Sequence, residues 1–129
     1  MLVKDFYFVL SKEEISQGEY LYLVELNPSH EVYKGHFPEK PITPGVCNIL
    51  MIKELSEDAL QKTFTLDKID RCRLTNMVTP EGSPKLNVRI KTENASEQSK
   101  TNLSAEIFFS DVTFMTLSGV LTENFNTLG

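Results

Sequence analysis

The sequence predicts an α+β domain in which one central helix lies against one antiparallel sheet. Three observations carry this expectation. A single long apolar run, Val46 to Leu55, is preceded by Thr43-Pro44, the residue types that open a helix. Segments rich in β-branched and aromatic residues stand on both sides of it. Short clusters of Gly, Pro, Asn, Asp and Ser divide those segments at hairpin spacing. At 129 residues the chain suits one domain, and no repeat or Gly/Ser linker divides it. A domain of this size buries roughly two-thirds of the surface its unfolded chain exposes, which supports a core without disulfides or metals.

In chain order, Phe6 to Leu10 reads as a first short strand and Tyr20 to Leu26 as a second, with Gly18 in the polar turn between them. Asn27 to Thr43 holds Pro28, Gly35, Pro38 and Pro41, a density of breakers that only an extended loop absorbs. The helix then starts, with Thr43 as N-cap and Pro44 at the first position, where its missing N–H costs nothing. Val46, Cys47, Ile49, Leu50, Met51, Ile52 and Leu55 make its first three turns apolar nearly all round, as in an enclosed helix. Its tail from Lys53 to Lys62 is amphipathic. Phe64 to Leu74, Lys85 to Glu93, Lys100 to Ser110 and Val112 to Glu123 follow as strands, separated by TPEGSP, NASEQ and a tight turn near Asp111. Four successive strands suggest a meander.

Composition narrows the function. The chain carries 13 basic and 18 acidic side chains, a net charge of −5, with no Lys/Arg run or interleaved aromatics, so no electrostatic footprint for nucleic acid is expected. No apolar run approaches the ~20 residues of a membrane span. MLVKDFYFVL holds Lys4 and Asp5 and leads into SKEE, so a signal peptide is not expected either. Cys47 and Cys72 stand far apart, without CxxC or a His pair at ligand spacing, which suggests neither a disulfide framework nor a metal site and makes a reducing cytoplasm the default.

The chemistry concentrates in Gly35-His36-Phe37-Pro38-Glu39-Lys40-Pro41-Ile42-Thr43-Pro44-Gly45-Val46, where prolines recur every third residue. Such spacing also suits a polyproline II ligand. A docking ligand is normally a disordered tail, however, and this segment joins a strand directly to an apolar helix, which favours a rigid internal loop.

The segment resembles the H-F-P-x-x-P-x-x-P-G-V signature of 3-hydroxyacyl-acyl-carrier-protein dehydratases of the FabZ and FabA type. Leu26-Asn27-Pro28 upstream, and Leu66 to Leu74 with Val78-Thr79-Pro80-Glu81-Gly82 downstream, are similar to further segments of that family. The resemblance spans nearly the whole chain and is strongest from His36 to Val46. It implies a hotdog fold, an antiparallel sheet wrapped around the central helix, and a dimer. It assigns His36 as the base that removes the C2 proton of a 3-hydroxyacyl thioester, a task suited to a neutral imidazole near pH 7. Phe37, Gly45, Val46 and Leu50 would line the substrate site. The N–H groups of Gly45 and Val46, at the positive end of the helix, would polarise the thioester carbonyl. His30 is expected to be an ordinary loop residue. No cofactor is implied.

One departure matters. The family places Glu or Asp five residues after the helix-start glycine, and here that residue is Leu50, which donates no proton. Glu54 lies one turn later, displaced by roughly 6 Å along the axis. Cys47 faces nearly the same way as Leu50 but reads as a small core hydrophobe rather than a nucleophile. Three functions remain open: a dehydratase with a relocated proton donor, a hotdog thioesterase, and a non-catalytic acyl-binding subunit. Since the resemblance implies that the His and the acid of each site come from different protomers, a heterodimer with a second hotdog chain is a variant of the third. The acyl group would ride on acyl carrier protein or coenzyme A. Lys34, Lys40, Lys68, Arg71 and Arg73 are candidate contacts to an acidic carrier.

Overall fold

A computed structural model describes residues 5–33, 45–80 and 85–124, leaving aside the side chain of residue 32. The element order is β1 (Tyr7–Ser16), β2 (Glu19–Leu26), a 3₁₀ turn (Glu31–Tyr33), α1 (Gly45–Leu60), β3 (Phe64–Leu74), β4 (Lys85–Asn94), β5 (Lys100–Phe109) and β6 (Val112–Glu123). The strands form one six-stranded antiparallel sheet in the order β1-β2-β4-β5-β6-β3. This is the hotdog arrangement.

Two expectations need correction. The first strand does not stop at Leu10; it continues through the polar residues to Ser16, exposed along nearly its whole length. A strand on a sheet edge has a neighbour on one side only and tolerates charges, so Lys12, Glu13 and Glu14 are no breakers there. The expected four-strand meander is also broken, because β3 pairs with β6 and not with β4. The physical reason lies in the side chains. In β4, Leu86, Val88 and Ile90 are fully buried on alternate positions, as in a central strand, whereas β3 carries Asp67, Lys68, Asp70, Arg71 and Arg73 and takes the other edge.

The core lies between α1 and one face of the sheet. Cys47, Met51, Ile52 and Leu55 of the helix join Tyr22, Val24, Leu86, Val88, Ile90, Leu103, Ile107, Met115, Leu117 and Leu121 in a single buried cluster. The helix is not enclosed by its own chain: Val46 is 59% exposed, and Ile49 and Leu50 are only partly buried. At its end Gln61 adopts φ 55° and the Lys62 N–H donates to the Glu57 carbonyl at 3.2 Å, a Schellman-type stop. The Glu57 carboxylate then accepts the Phe64 N–H at 2.7 Å, fixing the start of β3.

The β3–β6 pair is unusually close at Gly119, where an added Cβ would fall on the Lys68 carbonyl and within 3.3 Å of the Ile69 Cα. β3 is irregular on both sides of this point, between Leu66 and Lys68 and between Ile69 and Arg71. Backbone, unlike a flexible side chain, gives way only at the expense of the ladder. Gly119→Ala is therefore expected to lower stability by about 2 kcal/mol or more, measured by chemical denaturation. Unchanged stability would show that the bulged strand yields freely.

Candidate active site

The site must be built where β2 hands the chain to α1. Asn27 governs the departure: its Nδ2 donates to the Asp5 carbonyl at 2.8 Å, its Oδ1 accepts the Ser29 N–H at 3.0 Å, and its own N–H donates to the Phe6 carbonyl at 2.9 Å. The 3₁₀ turn follows, with the Tyr33 N–H donating to the His30 carbonyl at 3.2 Å. Phe6, completely buried, receives the His30 ring edge-on at 5.7 Å and lies 6.3 Å from the Tyr33 ring. His30 thus packs at the base of the loop, in keeping with an ordinary structural role. His36 and Phe37 lie outside the described residues, as do Lys34, Lys40, Thr43 and the three prolines of the motif.

At the far side of the loop, α1 begins at Gly45. A Cβ built there would meet no atom within 4 Å among the described residues. The first N–H groups of a helix have no intrahelical acceptor and carry its positive partial charge, an arrangement able to hold a carbonyl oxygen. Val46 projects outward beside this point and Leu50, one turn on, packs partly against the core. Of the sequence-derived site residues, Gly45, Val46 and Leu50 are thus brought together on the first turns of α1.

Leu50 supplies no proton, so its polar and nucleophilic neighbours matter. Cys47 is buried, and burial pushes its thiol up from the ordinary value, opposite to what a nucleophile requires. Glu54 is held by Tyr7, whose hydroxyl donates to its Oε1 at 3.0 Å. Burial raises the Glu54 carboxyl above its usual range, with the Tyr7 bond opposing the shift. Burial, reinforced by Glu54, raises the Tyr7 phenol strongly as well. A turn later, Tyr22 donates to Asp58 at 2.6 Å, and Lys12 reaches the same carboxylate at 3.3 Å. Glu54 and Asp58 therefore tie α1 to the β1–β2 side of the sheet. Glu54 is committed to that tie.

Sequence reasoning gives Asn48 no role, because two residues before Leu50 it points to roughly the opposite side of the helix. Its side chain is wholly buried, and neither Nδ2 nor Oδ1 has a hydrogen-bond partner among the described residues. The one polar residue in Val46-Cys47-Asn48-Ile49-Leu50-Met51-Ile52 was the available signal. By contrast Ser56, also buried, is satisfied by the Ile52 carbonyl at 2.7 Å. Leaving an amide unpaired costs about 1–3 kcal/mol, which sets Asn48 apart from the other buried residues of α1. Among the described residues no cluster of three or more His, Cys, Asp or Glu is placed to hold a metal ion, and no helix is long and apolar enough to cross a membrane.

Comparison with known proteins gives one family and one shared fold. Residues 12–110 match the ApeI-like family model, described as ApeI dehydratase. A curated relative, the 3-hydroxyacyl-[acyl-carrier-protein] dehydratase FabZ of Xanthomonas campestris, is 34% identical over 68 residues, 46% of this chain and 44% of its own length. The chain thus matches less than half the length of that relative. Among solved structures, the dehydratase heterocomplex ApeI:P from Xenorhabdus doucetiae aligns with a TM-score of 0.71 at 19% identity, covering 89% of this chain and 96% of that one. A proposed thioesterase from Shewanella oneidensis shares the fold with a TM-score of 0.60 at 13% identity, over 95% of this chain and 86% of its own.

The raised Glu54 carboxyl has a measurable consequence. The native state holds this proton more tightly than the unfolded chain, so the associated stability is full below the ordinary value of 4.5 and falls as pH rises through the native value. Glu54→Gln should remove that fall. Denaturation curves from about pH 4 to about pH 7 are expected to show the parent losing stability relative to the variant as pH increases, and parallel profiles would mean that Glu54 is not desolvated.

Proposed function

The chain belongs to the ApeI-like dehydratase family, and from that premise we propose that it eliminates water from a 3-hydroxyacyl thioester carried by acyl carrier protein or coenzyme A. The observation that supports this reading is the first turn of α1, where a Cβ added at Gly45 would meet no atom within 4 Å among the described residues and the positive end of the helix is suited to a thioester carbonyl. His36, by its place in the H-F-P-x-x-P-x-x-P-G-V motif, takes the C2 proton. Negative charge moves onto the thioester oxygen and is met by the helix start. The enolate electrons then form the C2–C3 double bond as the C3–O bond breaks, and the departing hydroxide needs a proton to leave as water. Phe37, Val46 and Leu50 provide apolar walls for the acyl chain.

The proton for the leaving group is the missing part. Leu50 cannot supply it, and Glu54 is bound to Tyr7. We assign the donor to a second hotdog chain docked beside α1, so that each complete site is shared between two chains. Support comes from the outward-facing Val46, from Ile69 and Leu74 on the unpaired edge of β3 and from Met77, all 44–65% exposed in the single chain. It comes also from a structural neighbour that is a dehydratase heterocomplex. Thioester hydrolysis shares this fold, but no feature of the helix start favours it.

Two substitutions test the reading. His36→Ala, in the complex with its partner, is expected to reduce hydration of a 2-enoyl thioester by about 100-fold or more while leaving the melting temperature in place; parent-like turnover would make His36 structural. Leu50→Glu is expected to give the isolated chain dehydratase activity that the parent alone lacks. A half-buried carboxyl there favours its neutral, proton-donating form and costs about 1–3 kcal/mol of stability, so melting temperature is the control. An isolated parent as fast as an ordinary dehydratase, or a folded Leu50→Glu with no gain, would remove the shared-site assignment.

A further inference from the structure

The sheet face turned away from α1 carries a feature that the proposed reaction does not use. The ladder registers place Lys91 opposite Ser104, Ser104 opposite Ser118 and Ser118 opposite Arg71, a single row across β4, β5, β6 and β3. The adjacent row runs Arg89, Glu106, Thr116, Arg73 in the same way. All these residues alternate with the buried positions Val88, Ile90, Leu103, Ala105, Ile107, Met115 and Leu117, so they stand on the helix-free face.

With strands roughly 4.8 Å apart, the backbones of Lys91 and Arg71 are separated by roughly 14 Å. Between them the floor is two serines, whose short side chains leave a hollow that long cationic side chains can lean across. The structure contains that hollow, a depression of about 410 Å³ lined by Arg71, Arg89, Lys91, Ser104, Thr116 and Ser118, with Glu106 in its wall.

The charges are not equally available. Glu106 is neutralised by Arg89 at 3.2 Å on one carboxylate oxygen and by the Thr113 hydroxyl at 3.1 Å on the other. Arg89 is further engaged by Glu19 at 3.7 Å and by the Phe108 ring at 5.0 Å. Lys91 and Arg71 have no ion pair, and Ser104 and Ser118 no side-chain hydrogen bond, among the described residues. Although the chain has a net charge of −5, this face therefore sets two uncommitted cations opposite each other across two uncommitted hydroxyls.

We propose that this hollow is a binding site for a phosphate group. A tetrahedral oxyanion with several acceptor oxygens takes charge-assisted bonds from both sides and hydroxyl bonds from beneath, whereas a planar carboxylate satisfies one side only. The site lies on the sheet face opposite α1; as a free-phosphate site it stands independently of the proposed reaction, and as a site for a phosphopantetheine arm it rests on that reading. Two sources carry the same group: free phosphate, and the phosphodiester or monoester of a phosphopantetheine arm.

The test is a titration of the isotope-labelled protein followed by amide chemical shifts, with inorganic phosphate, with pantetheine 4′-phosphate, and with sodium chloride at matched ionic strength. Saturable shifts centred on Lys91, Ser104, Ser118 and Arg71 are expected with the phosphates and not with chloride. The double variant Lys91→Met, Arg71→Met should weaken binding at least tenfold. Ser118→Val, which keeps both cations, should weaken it by a smaller factor, with melting temperatures confirming that both proteins fold. Tighter binding of pantetheine 4′-phosphate than of inorganic phosphate identifies the arm as the source, and equal binding identifies free phosphate. Equal shifts with chloride, or undiminished binding in the double variant, would mean an adventitious ion only and overturn the proposal.

Discussion

A single helix with one strongly apolar face has to be buried by a sheet, and that requirement organises the molecule. Cys47, Met51, Ile52 and Leu55 meet the alternate inward residues of the central strands, so those strands become two-faced, apolar toward α1 and polar on the other side. The same packing holds the first turn of α1, with Gly45 and Val46, at one end of the core. The direction of the helix start therefore rests on hydrophobic packing by the residues two, six, seven and ten positions further on. The acidic side chains Glu54 and Asp58 add direction to that packing by fastening one flank of α1 to Tyr7 and Tyr22.

Much of this was legible in the sequence because the signals are local. Thr43-Pro44 and the apolar run after it announced α1, and the turn clusters TPEGSP and NASEQ on either side announced β4. What was not legible depends on pairing between distant segments. The place of β3 beside β6 follows from competition among strands for the centre of the sheet, which no short window of sequence displays. The length of β1 was hidden for a related reason, since an edge strand loses the alternation by which strands are recognised. Gly45, Val46 and Leu50 fall on α1 as the helix expectation implied, while the commitment of Glu54 to Tyr7 required knowing that β1 passes over that flank of the helix. Asn48 carried a signal in its polarity, but only burial without partners gives that polarity meaning.

The replacement of an acid by Leu50 changes how the site is divided. On the proposed reading the helix brings backbone donors and apolar walls, and the acid comes from a neighbour docked near the exposed Val46. The core is unaffected by this division. Leu50 packs where a carboxyl would have to be desolvated, so the chain gains stability at the position where a self-sufficient enzyme would spend it.

The position of β3 has a consequence for the chain as it is made. β3 is complete at Leu74, but the strand it pairs with begins only at Val112, so roughly 40 residues must be added first, which takes about 2–8 s at ordinary rates of synthesis. Throughout that interval the segment lacks its ladder partner β6, and it carries Ile69, Cys72 and Leu74 unprotected. Lys68, Asp70, Arg71 and Arg73, set between those residues, act as gatekeepers against pairing with other nascent chains. The charges that assign β3 to the edge of the finished sheet also keep it soluble while it waits for β6.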